Sequence, residues 1–380
     1  MELPRVFGHL ELVVEVSESG ARARVSPLAV TRLIEARVEG LDPRVVPRVV
    51  SRICGVCSIA HQLASIEALE VAAGFEPSEA VELLRKALIA IHAVQNAAVF
   101  LAFVAFEEAG LGEASSARKG LIEVNNLCCR ALTKLVGSPI HPPRLSLGGF
   151  PELPRACVAS AIRDLELARK IVGEVVSEVR VAEERIVVEG TAVRVPNLSS
   201  RECVEALVSG SWRPLRLSPE VFERLASLEP PPFTGSRARL LATNPWTELA
   251  ENPLTAITAR VLELPMLIDT AIDCLDRAAS SFSGAYERVE VVEGSGVAAL
   301  EAPRGTLVHF YEVSRSRVSR CRILTPTQLS LRYVELCAST YASTLISRGA
   351  GLEEVERKVA SLVRSFDPCI PCAVKVIRVG

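Results

Sequence analysis

The sequence predicts a mainly α fold of the α+β class: a large multi-helical bundle with small β-hairpin and sheet elements. Three observations point there. Segments at 78–109, 114–137 and 152–185 carry apolar residues at helical spacing, divided by Gly/Pro-rich punctuation such as "GSPIHPPRLSLGGFPELP". Ala, Val, Leu and Glu are plentiful while aromatics are only 4% of the chain, which favours helices packed by aliphatic side chains. Strand-like alternation is confined to short stretches near the start and late in the chain.

In chain order, 9–16 and 21–28 read as two strands joined by "SESG", and 26–40 as a helix with a Ser-Pro entry and Gly40 as its stop. A further helix follows His61 and ends at Gly74. Within the next one, "LIAIHAVQNAAVFLAFVAF" (88–106) is long enough to cross a membrane, but His92, Gln95 and Asn96 interrupt it near the middle. It reads as a helix buried in protein and not as a transmembrane span. Residues 190–250, rich in Pro and Ser with little periodicity, read as a loop-rich excursion within one domain covering 1–380. Helix returns at 252–281, strands alternate around a Pro-Arg-Gly turn across 296–326, and helices at 327–348 and 351–365 close the pattern.

A formal charge of −2 over 380 residues leaves no electrostatic footprint for nucleic acid or an anionic membrane surface. The opening "MELPRVFGHLELVVEV" has no n-region, h-region and cleavage site, so a cytoplasmic, reducing compartment is expected. In such a compartment, cysteines in C-x-x-C pairs read as metal ligands or redox groups more readily than as disulfides.

Eleven cysteines are present, and two pairs stand out: "SRICGVCSIAH" at 51–61 and "DPCIPC" at 367–372. Four thiolates form a soft donor set suited to zinc, iron–sulfur or nickel. A structural zinc site normally draws its pairs from a short local fold, which counts against so long a separation. An iron–sulfur cubane tolerates long gaps but is not expected within these surroundings. A thioredoxin-like pair needs only one C-x-x-C, in a βα context. A bimetallic site buried between the two ends of the chain is the remaining reading. Cysteines 128, 129, 157, 203, 274, 321 and 337 lack chelating spacing and read as small buried hydrophobes.

"RICGVCSIAH" resembles the amino-terminal signature R-x-C-G-x-C-x-x-x-H of the large, catalytic subunit of nickel–iron hydrogenases, and "DPCIPC" its carboxy-terminal D-P-C-x-x-C. "RLIE" (32–35), "IHPPRLSLGG" (140–149), "EAPRGTLVH" (301–309) and "TPT" (325–327) are similar to further family elements in the same order. In flavour the chain is similar to the archaeal soluble sulfhydrogenase, or pyridine-nucleotide-linked, type.

The resemblance implies that fold and reversible heterolytic cleavage of dihydrogen to protons and electrons. It implies that Cys54, Cys57, Cys369 and Cys372 hold nickel, with Cys57 and Cys372 bridging to an iron that carries carbon monoxide and cyanide. Cys369 would be the proton-accepting thiolate, Arg304 would set its guanidinium over the open site, and Asp367 would hold that guanidinium. Pro303 would keep the pocket dry, Thr327 would hydrogen-bond cyanide, and His61 would hydrogen-bond a bridging cysteine. Taken singly, Asp367 also fits a helix end, His61 a satisfied core histidine, and Arg304 a stabilising pairing with Glu301 or Asp367.

A small iron–sulfur subunit is implied as partner, since the chain has no spare cluster motif. Maturation proteins are implied too, and any flavin- or nicotinamide-binding electron-transfer subunit is a separate chain, because no G-x-G-x-x-G follows a strand.

Two departures stand against the family pattern. Phe7 occupies the place of the Glu that relays protons in R-x-E-G-H, and phenylalanine carries no proton. Either Glu11, Glu2 or a water chain takes its place, or proton traffic is slowed; the latter favours, as an alternative, a non-catalytic or sensory scaffold, while a complex I-like quinone reductase subunit and a zinc-stapled helical protein are disfavoured by the four retained cysteines and their spacing. Lys375 stands where the family has a His that, with the Glu matching Glu35, ligates magnesium or iron; the expectation is that its ammonium pairs with Glu35 and the third metal is absent.

Overall fold

The structure is a computed structural model and describes residues 10–17, 20–27, 33–109, 115–151, 153–178, 186–208, 210–243, 252–280, 286–369 and 372–379. Strands β1 (Leu10–Ser17) and β2 (Gly20–Pro27) form the expected hairpin. Two short helices follow, α1 (Leu33–Val38) and α2 (Val46–Val50). The expected helix over 26–40 is corrected: β2 continues to Pro27, and among the described residues only Leu33–Val38 is helical.

Helices α3 (Ser58–Ala72), α4 (Glu79–Phe103), α5 (Ser116–Val136) and α6 (Arg155–Glu178) come next, with α9 (Ala256–Ser280) later in the chain. α4, α5, α6 and α9 pack side by side as a bundle. Ser78 and Ser115 cap α4 and α5 by accepting from amides three residues on, and Gly137 ends α5 in the left-handed conformation. α4 is the apolar helix of the sequence, and it lies in the protein core with His92 and Asn96 hydrogen-bonded. α3 is buried all round, between the bundle and a sheet, so no polar stripe marks it.

That sheet runs β10 (Arg317–Leu324), β9 (Gly305–Ser314), β8 (Gly294–Ala302) and β4 (Ser199–Ser200). Because side chains alternate along a strand, its two faces serve two cores. Ala298, Leu300, Leu307 and Tyr311 join the core around α3, while Val297, Ala299, Val308 and Phe310 pack on the smaller sheet. The smaller sheet has the order β6 (Ser211–Arg216), β5 (Cys203–Val208), β3 (Thr191–Arg194), β7 (Pro232–Phe233), with α7 (Val221–Ala226) and α8 (Ser236–Thr243) beside it. The loop-rich reading of 190–250 is therefore corrected: its described residues carry an ordered sheet and two helices.

A third sheet joins the chain's two ends. β11 (Cys372–Arg378), unassigned from the sequence, pairs in parallel with β1, Leu10 opposite Cys372. β2 closes the other edge, where α10 (Pro326–Ser347) covers it with Ser343, Ser339 and Glu335 accepting from the amides of Ala21, Ala23 and Val25. α11 (Leu352–Ser365) leads into the second cysteine pair.

Candidate metal centre

The first cysteine pair is built into the start of α3. Cys54 is extended (φ −149°, ψ 119°), Gly55–Cys57 forms one 3-10 turn, and Cys57 is the residue before the helix. The helix dipole at this end favours a thiolate. Packing fixes the helix itself. At Gly296 and Gly294 of β8 a Cβ would run into the backbone of Ala68 and Ala72, so only glycine lets α3 lie this close. Polar ties hold the surrounding turns: His92 Nε2 donates to the Val56 carbonyl at 2.9 Å, and the His141 amide to Ser58 Oγ at 3.1 Å. Gln62 Nε2 donates to the carbonyls of Pro142 and Leu145.

The second pair reaches the site on irregular backbone after α11. Asp367 is left-handed (φ 51°), a conformation that costs a non-glycine residue energy and is held here by several bonds at once. Its carbonyl accepts from Arg304 Nε at 2.7 Å, its Oδ1 from Arg304 Nη2 at 2.9 Å, and its Oδ2 from Arg260 Nη1 at 3.2 Å. Two residues on, the Cys369 amide donates to Thr327 Oγ1 at 3.0 Å.

Arg304 joins the two arms. Pro303 and Arg304 make the two-residue turn between β8 and β9, with Ala302 paired to Gly305. The Thr306 amide donates to Thr234 Oγ1 and anchors the hairpin. From there Arg304 Nη1 lies 3.1 Å from Cys57 Sγ while the rest of its fork grips Asp367. Burial penalises the guanidinium, but Asp367 and then the thiols outweigh that and raise its pKa. Donation from the Cys57 thiol draws Cys54 down to about 6, and the same contact, with burial, raises Cys57. Burial raises Cys369, against the opposing pull of Thr327 and Arg304.

The site residues read from the sequence thus fall together in part. Cys54, Cys57, Arg304, Asp367, Thr327 and Cys369 meet through these contacts, and Pro303 is buried in the turn. Cys372 has its backbone at the start of β11, but its side chain lies outside the described residues. Among the described residues no three His, Cys, Asp or Glu side chains form a metal-holding group by themselves. The donor types suit a soft metal: Cys54, Cys57 and Cys369 are free thiols on two arms joined by the Arg304 guanidinium.

Among the described residues His61 bonds no cysteine, its Nδ1 lying 3.1 Å from His309 Nε2; the side chain of Cys372, the other expected bridging ligand, lies outside them. One expectation is corrected. Glu35 does not pair with Lys375: its Oε1 accepts from the Ile323 amide at 2.8 Å, and Lys375 is exposed opposite Val13 on β11. Phe7 and Arg32 lie outside the described residues. Of the remaining cysteines, 128, 274, 321 and 337 are buried as expected, whereas 129, 157 and 203 are half-buried.

Sequence reasoning missed Arg260, His309 and Tyr311. Arg260 sits inside a long helix with no motif around it. His309 closes the stretch "EAPRGTLVH", and its two-residue spacing to Tyr311 would have placed both on the sheet face toward α3.

The family model described as nickel-dependent hydrogenase matches residues 32–105 and 249–375. The chain is 26% identical to the coenzyme F420 hydrogenase subunit alpha of Methanothermobacter thermautotrophicus, over 99% of this chain and 94% of that one. It is 26% identical to the sulfhydrogenase 2 subunit alpha of Pyrococcus furiosus, over 99% and 98%. Among solved structures, an NAD+-reducing NiFe hydrogenase in the H2-reduced state superposes with TM-score 0.81 at 20% identity, covering 98% of this chain and 97% of that one. The Ni-Fe-Se hydrogenase from D. vulgaris Hildenborough gives 0.71 at 18%, covering 93% and 94%. These relatives are named as hydrogenases, which does not favour the non-catalytic scaffold.

Proposed function

Because the chain belongs to the nickel-dependent hydrogenase family, as the large, catalytic subunit of an oxidoreductase acting on dihydrogen, we propose that Cys54, Cys57, Cys369 and Cys372 are the thiolates that would hold a nickel–iron pair. When bound, that pair supplies a Lewis-acidic site at which dihydrogen is split heterolytically. Cys369 accepts the proton at Sγ, and Thr327 pins its backbone. Arg304 keeps a permanent positive charge against the open side, aimed by Asp367, which Arg260 steadies from behind. Thr327 accepts from the Cys369 amide, and its hydroxyl would hydrogen-bond a cyanide on an iron that would also carry carbon monoxide. Pro303 helps exclude water.

Electrons pass to a small iron–sulfur subunit and from there to flavin- or nicotinamide-binding subunits; the relatives' designation as alpha subunits supports a multi-subunit assembly. Maturation proteins supply the diatomic ligands, and the complex works in the cytoplasm. We assign no third metal at Glu35, whose carboxylate already accepts from Ile323.

One observation carries the reading: Arg304 contacts Cys57 from the first arm and Asp367 from the second with the same guanidinium. Infrared spectroscopy of the purified complex tests it. Bands in the carbonyl and cyanide stretching region are expected, and their absence from properly matured enzyme would defeat the reading.

A further inference from the structure

A chain of buried hydrogen-bonding side chains runs beside α3, starting one helical turn from Cys57. Cys57 and His61 lie one helical turn apart, on the same face. His61 Nδ1 is 3.1 Å from His309 Nε2, and His309 Nδ1 is 2.9 Å from the Tyr311 hydroxyl. The three are 4%, 0% and 0% exposed, so no bulk water interrupts the line. Tyr311 stands opposite Cys321 on β10. Glu35, half-buried on α1, reaches the same strand: its Oε1 accepts from the Ile323 amide at 2.8 Å, two residues on from Cys321.

We propose that His61, His309 and Tyr311 are the proton relay of this hydrogenase, carrying protons between the thiolate centre and the Cys321–Glu35 edge of the sheet. The proposal rests on the hydrogenase reading above. The step balances. A proton bonds to His61 Nε2 as the His61 Nδ1–H bond breaks toward His309 Nε2. The His309 Nδ1–H bond then breaks toward the Tyr311 oxygen as the Tyr311 O–H bond breaks toward Cys321 Sγ, whose own S–H proton passes to the Glu35 carboxylate. Each ring ends neutral, in its other tautomer; rotation of both imidazoles and of the Tyr311 and Cys321 hydrogens restores the starting arrangement, and no electrons move along the line. Burial disfavours a resting imidazolium at His61 and at His309, so a proton passes through without being trapped. Burying two imidazoles and a phenol is costly unless each is hydrogen-bonded, and here each ring is bonded to the next.

The assembled enzyme carrying Tyr311→Phe tests this, with His309→Gln as the second variant. Infrared bands of the metal ligands are expected at wild-type positions in both. Dihydrogen-dependent dye reduction is expected to fall about tenfold to hundredfold. With ring-labelled tyrosine, wild-type enzyme should show a tyrosine C–O difference band on exposure to dihydrogen, and Tyr311→Phe should lack it. Full-rate turnover in Tyr311→Phe, or a tyrosine signal unchanged by its removal, overturns the relay while leaving the metal reading intact. Loss of the ligand bands in both variants marks these residues as structural and overturns the relay as well. Absence of the bands from wild-type enzyme instead removes the metal reading on which it rests.

Discussion

The two cysteine arms reach the same place by different means. Cys54 and Cys57 are carried on a helix buried on every side, pressed so closely to β8 that a side chain at Gly296 would not fit. Cys369 sits on irregular backbone, located by directional bonds from Thr327, Arg304 and Asp367. One arm is held chiefly by packing, with polar ties at its turns, the other by polar contacts. Packing is tolerant of chemistry and intolerant of volume; a polar mooring is the reverse.

The largest effect should come from breaking the polar mooring at its node. Asp367→Ala leaves two buried guanidiniums, Arg304 and Arg260, without their shared carboxylate. Removing one partner of a buried pair costs about 3–5 kcal/mol. Activity should fall at least about a hundredfold, because the cation over the site loses its aim. Nickel content and dye reduction, measured together, check this; full activity with full metal loading would show that the second arm is not held as described.

The corresponding break in the packed arm is Gly296→Ala. The new methyl meets the Ala68 carbonyl and the Ala72 amide, and α3 must shift. Overpacking of this kind costs about 1–3 kcal/mol. Thermal unfolding of the complex should show the loss directly, with Arg304→Asp367 contacts and hence the remaining activity per nickel little changed. A smaller effect is expected at Thr327→Val, which keeps the shape and removes the acceptor for the Cys369 amide. The stability cost should be about 1 kcal/mol, with Thr327→Ser restoring both stability and turnover; equal behaviour of the two variants would remove Thr327 from the mooring.

The contrast between the arms also explains what could be read in advance. The bundle was legible because α4, α5, α6 and α9 repeat apolar residues over many turns and carry recognisable caps and stops. The cysteine pairs, Arg304 and Asp367 were legible as motifs. The sheet within 190–250 was hidden by its short strands: β6 reads "SWRPLR", mostly exposed, with Pro214 on an edge where a missing N–H does no harm. β11 was hidden for another reason, since "CAVKVIR" becomes a strand only by pairing with β1 at the far end of the chain. Arg260 and His309 act through partners distant in sequence, and a lone residue in a regular element advertises no such role.

The smallest effect belongs to Lys375, and it sharpens the comparison on β11, the strand that follows the second arm. Were Lys375 the charge that replaces a third metal beside Glu35, its removal would leave a partly buried carboxylate uncompensated. The structure instead gives Glu35 a hydrogen bond from the Ile323 amide and leaves Lys375 exposed on β11. Lys375→Ala should therefore change stability by under about 0.5 kcal/mol and leave nickel content and turnover as in the wild type. Metal analysis of the wild-type complex should find no stoichiometric magnesium. A larger loss from Lys375→Ala, or one magnesium per chain, would mean that Glu35 has a charged partner after all and that the third site survives in altered form. A null result would leave the second arm moored by Asp367 and Thr327 on one side of the cysteine pair and by β-pairing to β1 on the other, with no ion required between them.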